Sequence, residues 1–298
     1  MTKNLRVKSS EFIDETSRIS FKFDGKTYYG FKGDTLASAL LASNVHLIGR
    51  SFKYHRPRGI MTSGSEEPNA IVQINPNSNI TEPNARATEI EIYEGLEATS
   101  QNCWPSVNFD IGGINNFLAP FLPAGFYYKT FMWPKSFWEK YEFFIRHSAG
   151  LGKSPTKRDP DIYDHRNIHC DVLVVGAGIS GILAAKNAAK NNYKTLLLDE
   201  KNELGGSTIF ETNENKKINN TFSSEWLKKE ISELKNIKNL EIKTRTSVAA
   251  YHQYNYLLAR ENLTDHLEKK DKKNKIRQRL LKIRAKKVIL ATGALERP

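Results

Sequence analysis

Residues 170–181 read CDVLVVGAGISG, and this stretch decides the fold of the second half of the chain. The apolar run before Gly176 is typical of a buried parallel strand, and residues 182–190 continue at helical spacing. A second strand is predicted over residues 194–198, and it ends in Asp199 and Glu200. A strand, a G-x-G-x-x-G turn, a helix, a second strand and an acidic residue about 20 positions on together predict a dinucleotide-binding unit of the Rossmann type.

Each residue type in this turn has a mechanical role. Gly176 makes the tight turn, Gly178 leaves room for a pyrophosphate, and Gly181 lets the helix pack closely on the strand. The start of the helix presents N–H groups and the positive end of its dipole to the phosphates. Asp199 is expected to accept hydrogen bonds from ribose hydroxyls. The alternative is a βαβ unit that keeps its glycines for packing alone.

Two later stretches resemble flavoprotein-type dinucleotide domains. Residues 203–206 (ELGG) resemble a Gly-Gly turn near the pyrophosphate, and residues 287–294 (KVILATGA) resemble the Ala-Thr-Gly strand of the FAD/NAD-linked disulfide-reductase-like superfamily. Because that strand normally lies inside its domain, an incomplete dinucleotide domain is expected over residues 166–298. The candidate cofactor-binding residues are Gly176, Ala177, Gly178, Ile179, Ser180, Gly181, Asp199, Glu200, Lys201, Gly205, Gly206, Ser207, Ala291, Thr292 and Gly293.

The first hundred residues have a different pattern. Residues 19–29 alternate apolar and polar side chains around Asp24-Gly25, which predicts a β-hairpin. An apolar stripe at helical spacing follows over residues 36–45, with Asp34 or Thr35 as its N-cap. A hairpin followed by a helix opens a β-grasp domain. Further strands are predicted at residues 70–74 and 88–93, so that an α+β domain closes at residue 99.

Residues 100–165 are rich in aromatic side chains set among prolines and glycines. Since aromatic side chains dominate cores and interfaces, we expect an extended connector whose rings are buried on neighbouring domains, rather than an aromatic ligand cage. The basic run at residues 269–287 is expected to be a solvated hairpin or helix face.

Composition excludes several classes of protein. The chain has 298 residues, with Lys+Arg 45 and Asp+Glu 33, for a net charge of +12. Much of this excess lies in one segment without interleaved aromatics, so no nucleic-acid partner is expected. No stretch is long and apolar enough for a membrane span, and the N-terminus lacks a signal peptide, which predicts a cytoplasmic protein without a membrane partner. Cys103 and Cys170 alone make neither a disulfide framework nor a four-thiolate metal site, and we expect no metal site.

Residues 33–42 (GDTLASALLA), 49–60 (GRSFKYHRPRGI), 64–70 (GSEEPNA) and 278–298 carry a more specific resemblance. Over nearly its whole length the chain resembles the α subunits of heterotetrameric sarcosine oxidases. The resemblance implies a complex with β, γ and δ subunits that oxidatively demethylates sarcosine to glycine and passes the one-carbon unit to tetrahydrofolate. It also implies electron flow from FAD to FMN to oxygen, with both flavins elsewhere in the complex.

For the glycine turn of this chain, the resemblance implies NAD, with FAD as the alternative; the charge of Asp199 and Glu200, partly offset by Lys201, favours NAD over NADP. Relatives of the family carry a [2Fe–2S] cluster in the β-grasp domain, and such a cluster needs four thiolates. Residues 56–70 contain no cysteine, so a domain without an Fe–S cluster is expected. Because the family's α subunits are much longer, this chain alone is expected to be inactive.

No catalytic residue is assigned. His46 is expected to be a packed helix residue. His55 lies in a basic loop, residues 50–58, which either binds a phosphate or a carboxylate of a partner subunit or is a surface loop held by salt bridges. Two other functions stay open. One is a stand-alone FAD-dependent amine or opine dehydrogenase subunit, and the other is a non-catalytic module that binds a partner subunit.

Overall fold

The computed structural model describes residues 5–6, 13–76, 78–121, 125, 133–148, 150–210 and 216–294. They form two compact units, residues 1–160 and residues 161–295, each built around its own main sheet.

The first unit opens with the predicted hairpin. Strand β1 (Asp14–Phe23) pairs antiparallel with β2 (Lys26–Lys32). The two turn residues, Asp24 and Gly25, both have positive φ (48° and 75°). Asp-Gly suits a type I′ turn, whose twist matches that of the strands it joins.

Helix α1 (Leu36–Ala42) follows, and Thr35 rather than Asp34 is its N-cap. The Thr35 hydroxyl accepts a hydrogen bond from the Ser38 amide (3.1 Å), and the Ser38 hydroxyl accepts one from the Thr35 amide (3.0 Å). This reciprocal pair is a capping box. Asp34 is instead buried and forms an ion pair with Arg6.

The main sheet of the first unit has the order β2-β1-β7-β5-β6, with β1 and β7 parallel and the other pairs antiparallel. Together with α1 on one face, this is the predicted β-grasp arrangement. The core beneath α1 contains Phe21, Leu36, Leu40 and Leu96. The remaining strands of this unit are β3 (Gly49–Arg50), β4 (Pro57–Arg58), β5 (Ile71–Ile74), β6 (Glu82–Arg86) and β7 (Leu96–Ser100).

The strand predicted at residues 88–93 is wrong, since the strands lie on either side of it. The backbone of this segment pairs with the start of α1: the Leu36 amide donates to Ile90 O (2.7 Å) and the Ile92 amide to Asp34 O (3.0 Å). A contact with a helix terminus leaves no signal in strand periodicity.

The expectation for His46 is also wrong. Helix α1 ends at Ala42, and His46 is an exposed loop residue whose Nε2 lies 2.9 Å from the side-chain oxygen of Asn44.

The aromatic segment is not buried as expected. It contains helix α2 (Trp138–Ser148), and Trp104, Phe117 and Trp133 expose 69%, 83% and 82% of their surface. Within the described residues these rings cover no core. Phe126, Tyr127, Tyr128 and Phe131 lie outside the described residues.

The second unit contains a six-stranded sheet of order β12-β9-β8-β15-β14-β13. The first four strands are parallel, and β14 is antiparallel to both of its neighbours, β15 and β13. Leu173, Leu196, Leu198 and Leu281 lie in its core. In the described part of the chain, no helix has the length and apolar character needed to cross a membrane. The strands and helices of the second unit are β8 (Ile162–Val175), α3 (Ile179–Lys190), β9 (Thr195–Leu198), β10 (Lys217–Ile218), β11 (Thr221–Phe222), α4 (Ser223–Lys235), β12 (Leu240–Lys243), β13 (Thr246–His252), β14 (Tyr256–Asn262), α5 (Lys269–Lys272) and β15 (Ile276–Leu290).

The basic run at residues 269–287 is not a solvated hairpin. Most of it belongs to β15, which lies between β8 and β14 in the sheet. Leu281 and Ile283 alternate with Lys282 and Arg284, so that the apolar side chains are buried while the cations lie on the other face. The many cations of the run made the alternating pattern of strand β15 hard to recognise in the sequence.

Candidate functional site

Two glycines of the turn between β8 and α3 are required by packing. Gly176 has φ +97°, and a Cβ there would lie 2.4 Å from the carbonyl oxygen of Ala291. A Cβ on Gly181 would lie 1.8 Å from the carbonyl oxygen of Gly176. Both glycines therefore allow α3 to start close against the ends of β8 and β15.

Gly178 is different, because no atom of the described residues lies within 4 Å of the position of its missing Cβ. It is the N-cap of α3, has extended backbone angles and makes no side-chain capping bond. The first N–H groups of a helix have no partner within the helix and carry the positive end of its dipole. Open space at this point fits a pyrophosphate held by the backbone of Gly178, Ile179 and Ser180.

The predicted Gly-Gly turn packs against this glycine turn. The Gly205 amide donates to Ala177 O (2.8 Å), and a Cβ on Gly206 would lie 2.9 Å from Gly178 Cα. Gly206 begins a short 3₁₀ helix that ends at Phe210, and Ser207 is exposed in it. Gly205 and Gly206 therefore leave the backbone beside the open space at Gly178 without side chains.

Asp199 organises the turn from the end of β9. Its two carboxylate oxygens accept hydrogen bonds from the Ala177 amide (2.6 Å) and the Lys201 amide (2.8 Å), and the residue is 9% exposed. A carboxylate oxygen has more than one lone pair, so Asp199 keeps acceptor capacity for a ribose hydroxyl. Sequence reasoning did not anticipate the hold on Ala177. The neighbouring Glu200 is exposed.

The Ala-Thr-Gly segment lies just beyond β15 rather than within a strand. The Ala291 amide donates to Val175 O (2.7 Å), which places it against Gly176 and Gly181. Thr292 and Gly293 are exposed, and in the part of the chain that the structure describes no atom lies within 4 Å of the missing Cβ of Gly293. The candidate residues from β8, β9, the second glycine turn and β15 therefore meet at one end of the sheet.

In the first unit, the basic loop is largely tied to residues 107–116. The Arg50 guanidinium donates to Val107 O through Nε (2.8 Å) and Nη2 (2.6 Å), and Arg56 Nε donates to the side chain of Asn116 (2.9 Å). His55 Nδ1 lies 2.6 Å from a carboxylate oxygen of Asp110. These partners are more than 50 residues away, so no sequence spacing could have indicated them.

Neither cysteine has the surroundings of a reactive thiol. Burial raises the pKa of Cys170 to about 11, and burial is also the main cause of the raised pKa of Cys103. The thiolate, which is the nucleophile and the metal ligand, is therefore disfavoured at neutral pH in both.

Comparison with known families and proteins agrees with this two-part construction. Residues 16–103 match the family described as a 2Fe-2S iron-sulfur cluster binding domain, and residues 171–288 match the family described as FAD dependent oxidoreductase. Fold and site thus define a chain that joins a ferredoxin-like domain to a dinucleotide domain of the FAD-dependent oxidoreductase class.

Within that class, the chain is a homologue of the sarcosine oxidase α subunits. It is 46% identical to sarcosine oxidase subunit alpha of Rhizobium meliloti (strain 1021), over 98% of this chain and 29% of that protein. It is 32% identical to sarcosine oxidase subunit alpha of Corynebacterium sp. (strain U-96), over 96% of this chain and 25% of that protein. The chain thus spans less than a third of the length of these relatives.

A solved structure, L-proline dehydrogenase from P. horikoshii, shares the fold with a TM-score of 0.59 at 18% identity, covering 97% of this chain and 44% of that one.

The comparison corrects the assignment of NAD to the glycine turn, because the matching family is FAD dependent. The residues present fit the part that NAD and FAD have in common. The open space at Gly178 and the acceptor Asp199 suit the pyrophosphate and ribose of any adenine dinucleotide.

The match over residues 16–103 likewise contradicts the expected lack of an Fe–S cluster, since the matching family binds one. That range contains one cysteine, Cys103, whereas such a cluster takes four ligands. In the described part of the chain, no group of three or more His, Cys, Asp or Glu is placed to hold a metal ion. The residues present therefore do not supply the ligands of such a cluster.

Proposed function

We propose that this chain is the FAD-binding part of an oxidoreductase that acts on amine donors, working in a complex with other subunits. The observation that carries the proposal is the open space at Gly178, at the start of α3, within residues that match an FAD-dependent family. The names of the homologous α subunits support sarcosine as the amine.

In this proposal the chain's own residues bind and orient. The amides of Gly178, Ile179 and Ser180 hold the pyrophosphate, and Asp199 fixes the turn through Ala177 while accepting from the ribose. Gly205 and Gly206 keep side chains out of the same space. FAD, when bound, supplies a two-electron acceptor for oxidation of the C–N bond of an amine. No side chain of this chain is assigned a proton-transfer role.

The finer proposals rest on the resemblance of residues 33–70 and on the homologues. They are oxidative demethylation of sarcosine to glycine, transfer of the one-carbon unit to tetrahydrofolate, and assembly with β, γ and δ subunits.

The test is FAD titration of the full chain, followed by quenching of flavin fluorescence. Gly178→Val should abolish binding and leave the thermal unfolding midpoint near that of the parent, because its side chain enters open space. Gly113→Val, at another glycine whose missing Cβ has no neighbour within 4 Å among the described residues, is the matched control and should bind as the parent does. Equal FAD binding by Gly178→Val would remove the glycine turn from the site.

We also propose that the aromatic segment contacts another subunit of such a complex. Trp133 and Phe117 are more than four-fifths exposed, and large exposed apolar patches are unusual outside interaction sites. The double variant Phe117→Ser, Trp133→Ser should lower co-purification with a co-expressed β subunit while the FAD titration is unchanged. Undiminished co-purification would contradict this contact.

A further inference from the structure

Strand β8 (Ile162–Val175) has a neighbour along its whole length on one side only. β15 pairs with it from end to end, whereas β9 pairs only with residues 172–175 on the other side. Among the described residues, no other strand pairs with residues 162–170. This part of β8 is therefore an open sheet edge, and an open edge is a template for pairing with a further strand.

The edge is accessible to solvent. Between residues 162 and 169 only Asp164 and Ile168 are half-buried, and the other residues are exposed. Proteins commonly protect an open edge with Pro, with Lys or with inward-pointing charges. Residues 162–169 contain neither Pro nor Lys, and their two charged side chains, Asp164 and Arg166, have opposite signs. Such charges repel many strands but attract a strand whose charges match them.

One face of β8 carries both charges and both isoleucines of the edge, because side chains alternate along a strand. These residues are Ile162, Asp164, Arg166 and Ile168. One carboxylate oxygen of Asp164 accepts from Arg279 Nε (2.8 Å), and the other has no donor among the described residues. The exposed guanidinium of Arg166 makes no hydrogen bond or ion pair in the described part of the chain. Both charged groups therefore keep hydrogen-bonding capacity for a partner.

The edge is self-complementary in one antiparallel register. With His165 opposite the same residue of a second copy, Asp164 lies opposite Arg166, and Ile162 lies opposite Ile168. Each of these pairs occurs twice, because a two-fold axis relates the copies. The Cβ atoms of directly opposite residues lie about 5 Å apart, which allows ion pairs and apolar contacts.

The neighbouring registers lack this match. A register centred on Asp164 or on Arg166 places like charges directly opposite each other, which destabilises a strand pair. Registers centred between residues leave Arg166 opposite Tyr163 or His165. The order of residues along the edge thus favours the register centred on His165.

We propose that two copies of this chain associate through the open edge of β8, antiparallel and centred on His165. The two sheets join into one, and the edge backbone of residues 162–168 hydrogen-bonds to the second copy, as in other cases of strand addition. The Asp164–Arg166 pairs select the register. This self-association goes beyond the proposed function and does not depend on FAD.

The first test is sedimentation velocity of the full chain over a range of concentrations. The parent should form a dimer that dissociates on dilution. Arg166→Asp should weaken the dimer at least about tenfold, because a carboxylate at position 166 then lies opposite Asp164 in both pairs. The matched control is Arg260→Asp, at an exposed arginine of β14, a strand with neighbours on both sides, and it should dimerise as the parent does.

Two outcomes of this test overturn the proposal. One is a parent that stays monomeric at every concentration. The other is an Arg166→Asp variant that dimerises as the parent does while its near-UV circular dichroism shows a native fold.

Thiol crosslinking tests the register. Two copies of residue 165 lie opposite each other, whereas two copies of residue 167 are offset by four positions, about 14 Å along the strands. A short bifunctional thiol reagent should therefore link His165→Cys into a dimer and leave Asn167→Cys unlinked. The parent, with Cys103 and Cys170, gives the background. Equal linking of both variants, or none of His165→Cys above background, would contradict the proposed pairing.

Discussion

The glycine turn at residues 176–181 and the loop at residues 61–70 treat their backbone N–H groups in opposite ways. In the loop, the buried carboxylate of Glu67 accepts from the amides of Met61 (2.8 Å), Thr62 (2.7 Å), Asn69 (2.8 Å) and Ala70 (3.0 Å). In the turn, Gly178 has no capping side chain, and the space before α3 is open.

The difference indicates a structural role for the loop at residues 61–70 and a ligand-binding role for the glycine turn at residues 176–181. The loop carries its own anion, Glu67, and these four amides therefore have an acceptor within the chain. Asp199, the carboxylate beside the turn, accepts hydrogen bonds from the amides of Ala177 and Lys201. It does not accept from the first amides of α3. A loop that lacks an internal acceptor at a helix N-terminus is suited to an external anion. Four substitutions probe this contrast.

The largest effect is expected within the turn itself, for Gly181→Ala. The new Cβ would lie 1.8 Å from the carbonyl oxygen of Gly176, and neither backbone can yield without displacing α3. We expect a loss of more than about 3 kcal/mol in the free energy of unfolding of the second unit. Urea unfolding followed by near-UV circular dichroism measures it. Gly178→Ala is the matched control, and equal stability of the two variants would show that the turn is not closely packed.

The next effect is expected for Glu67→Gln in the loop. An amide has one acceptor oxygen and places an NH₂ group against backbone donors, so at least one buried N–H loses its partner. We expect a loss of about 3 kcal/mol in the free energy of unfolding of the first unit. Glu66→Gln, whose carboxylate makes no hydrogen bond with the described residues, is the control. A loss no larger than that of the control would mean that the loop is held by other contacts.

The pH dependence of this effect has a definite sign. Burial raises the pKa of Glu67, but the amides of Thr62, Asn69, Met61 and Ala70 outweigh it, so the pKa is lowered overall. Its stabilising contribution is present above the unfolded-state pKa, about 4.3, and is lost as pH falls through the lower folded pKa. The difference between the parent and Glu67→Gln should therefore shrink below about pH 4. A constant difference down to pH 2 would contradict this assignment.

The same contrast explains what the sequence could predict. The hairpin around Asp24-Gly25 and the turn around Gly178 depend on neighbours within a few positions, and both are found as predicted. The hold of Arg50 on Val107 O and the pairing of Leu36 with Ile90 join distant segments, which no local pattern reports. In β15 the period-two pattern was present, but the cations between the apolar residues concealed it.

A smaller effect is expected for Asp199→Ala, which tests how far the turn depends on a carboxylate behind it. The variant loses the bond to the Ala177 amide and an acceptor for the ribose. FAD binding should weaken by about 1.5–3 kcal/mol, or roughly 10- to 150-fold. Titration calorimetry measures it, with Glu225→Ala, at an exposed residue of α4 outside the candidate site, as control. Unchanged FAD affinity in Asp199→Ala would exclude this residue from the site.

The smallest effect is expected for His55→Asn, in the basic loop that precedes the Glu67 loop. His55 has φ +53°, a conformation that asparagine tolerates, so the backbone should be kept and only the contact with Asp110 is lost. Asp110 retains hydrogen bonds from the amides of Trp104 and Gly112 through its other oxygen. We therefore expect the free energy of unfolding, measured with urea, to fall by about 1 kcal/mol. The control His46→Asn, at an exposed residue, should leave it unchanged.

The loss of stability in His55→Asn shows whether the basic loop (residues 50–58) and the loop at residues 61–70 are held in different ways. Glu67 gathers its donors on one carboxylate, whereas the basic loop is held by separate bonds from Arg50, His55 and Arg56 to residues 107–116. Removing one of several independent contacts leaves the others in place, so the loss should be well below that for Glu67→Gln. A loss in His55→Asn as large as that in Glu67→Gln would make the His55–Asp110 pair the main anchor of the basic loop.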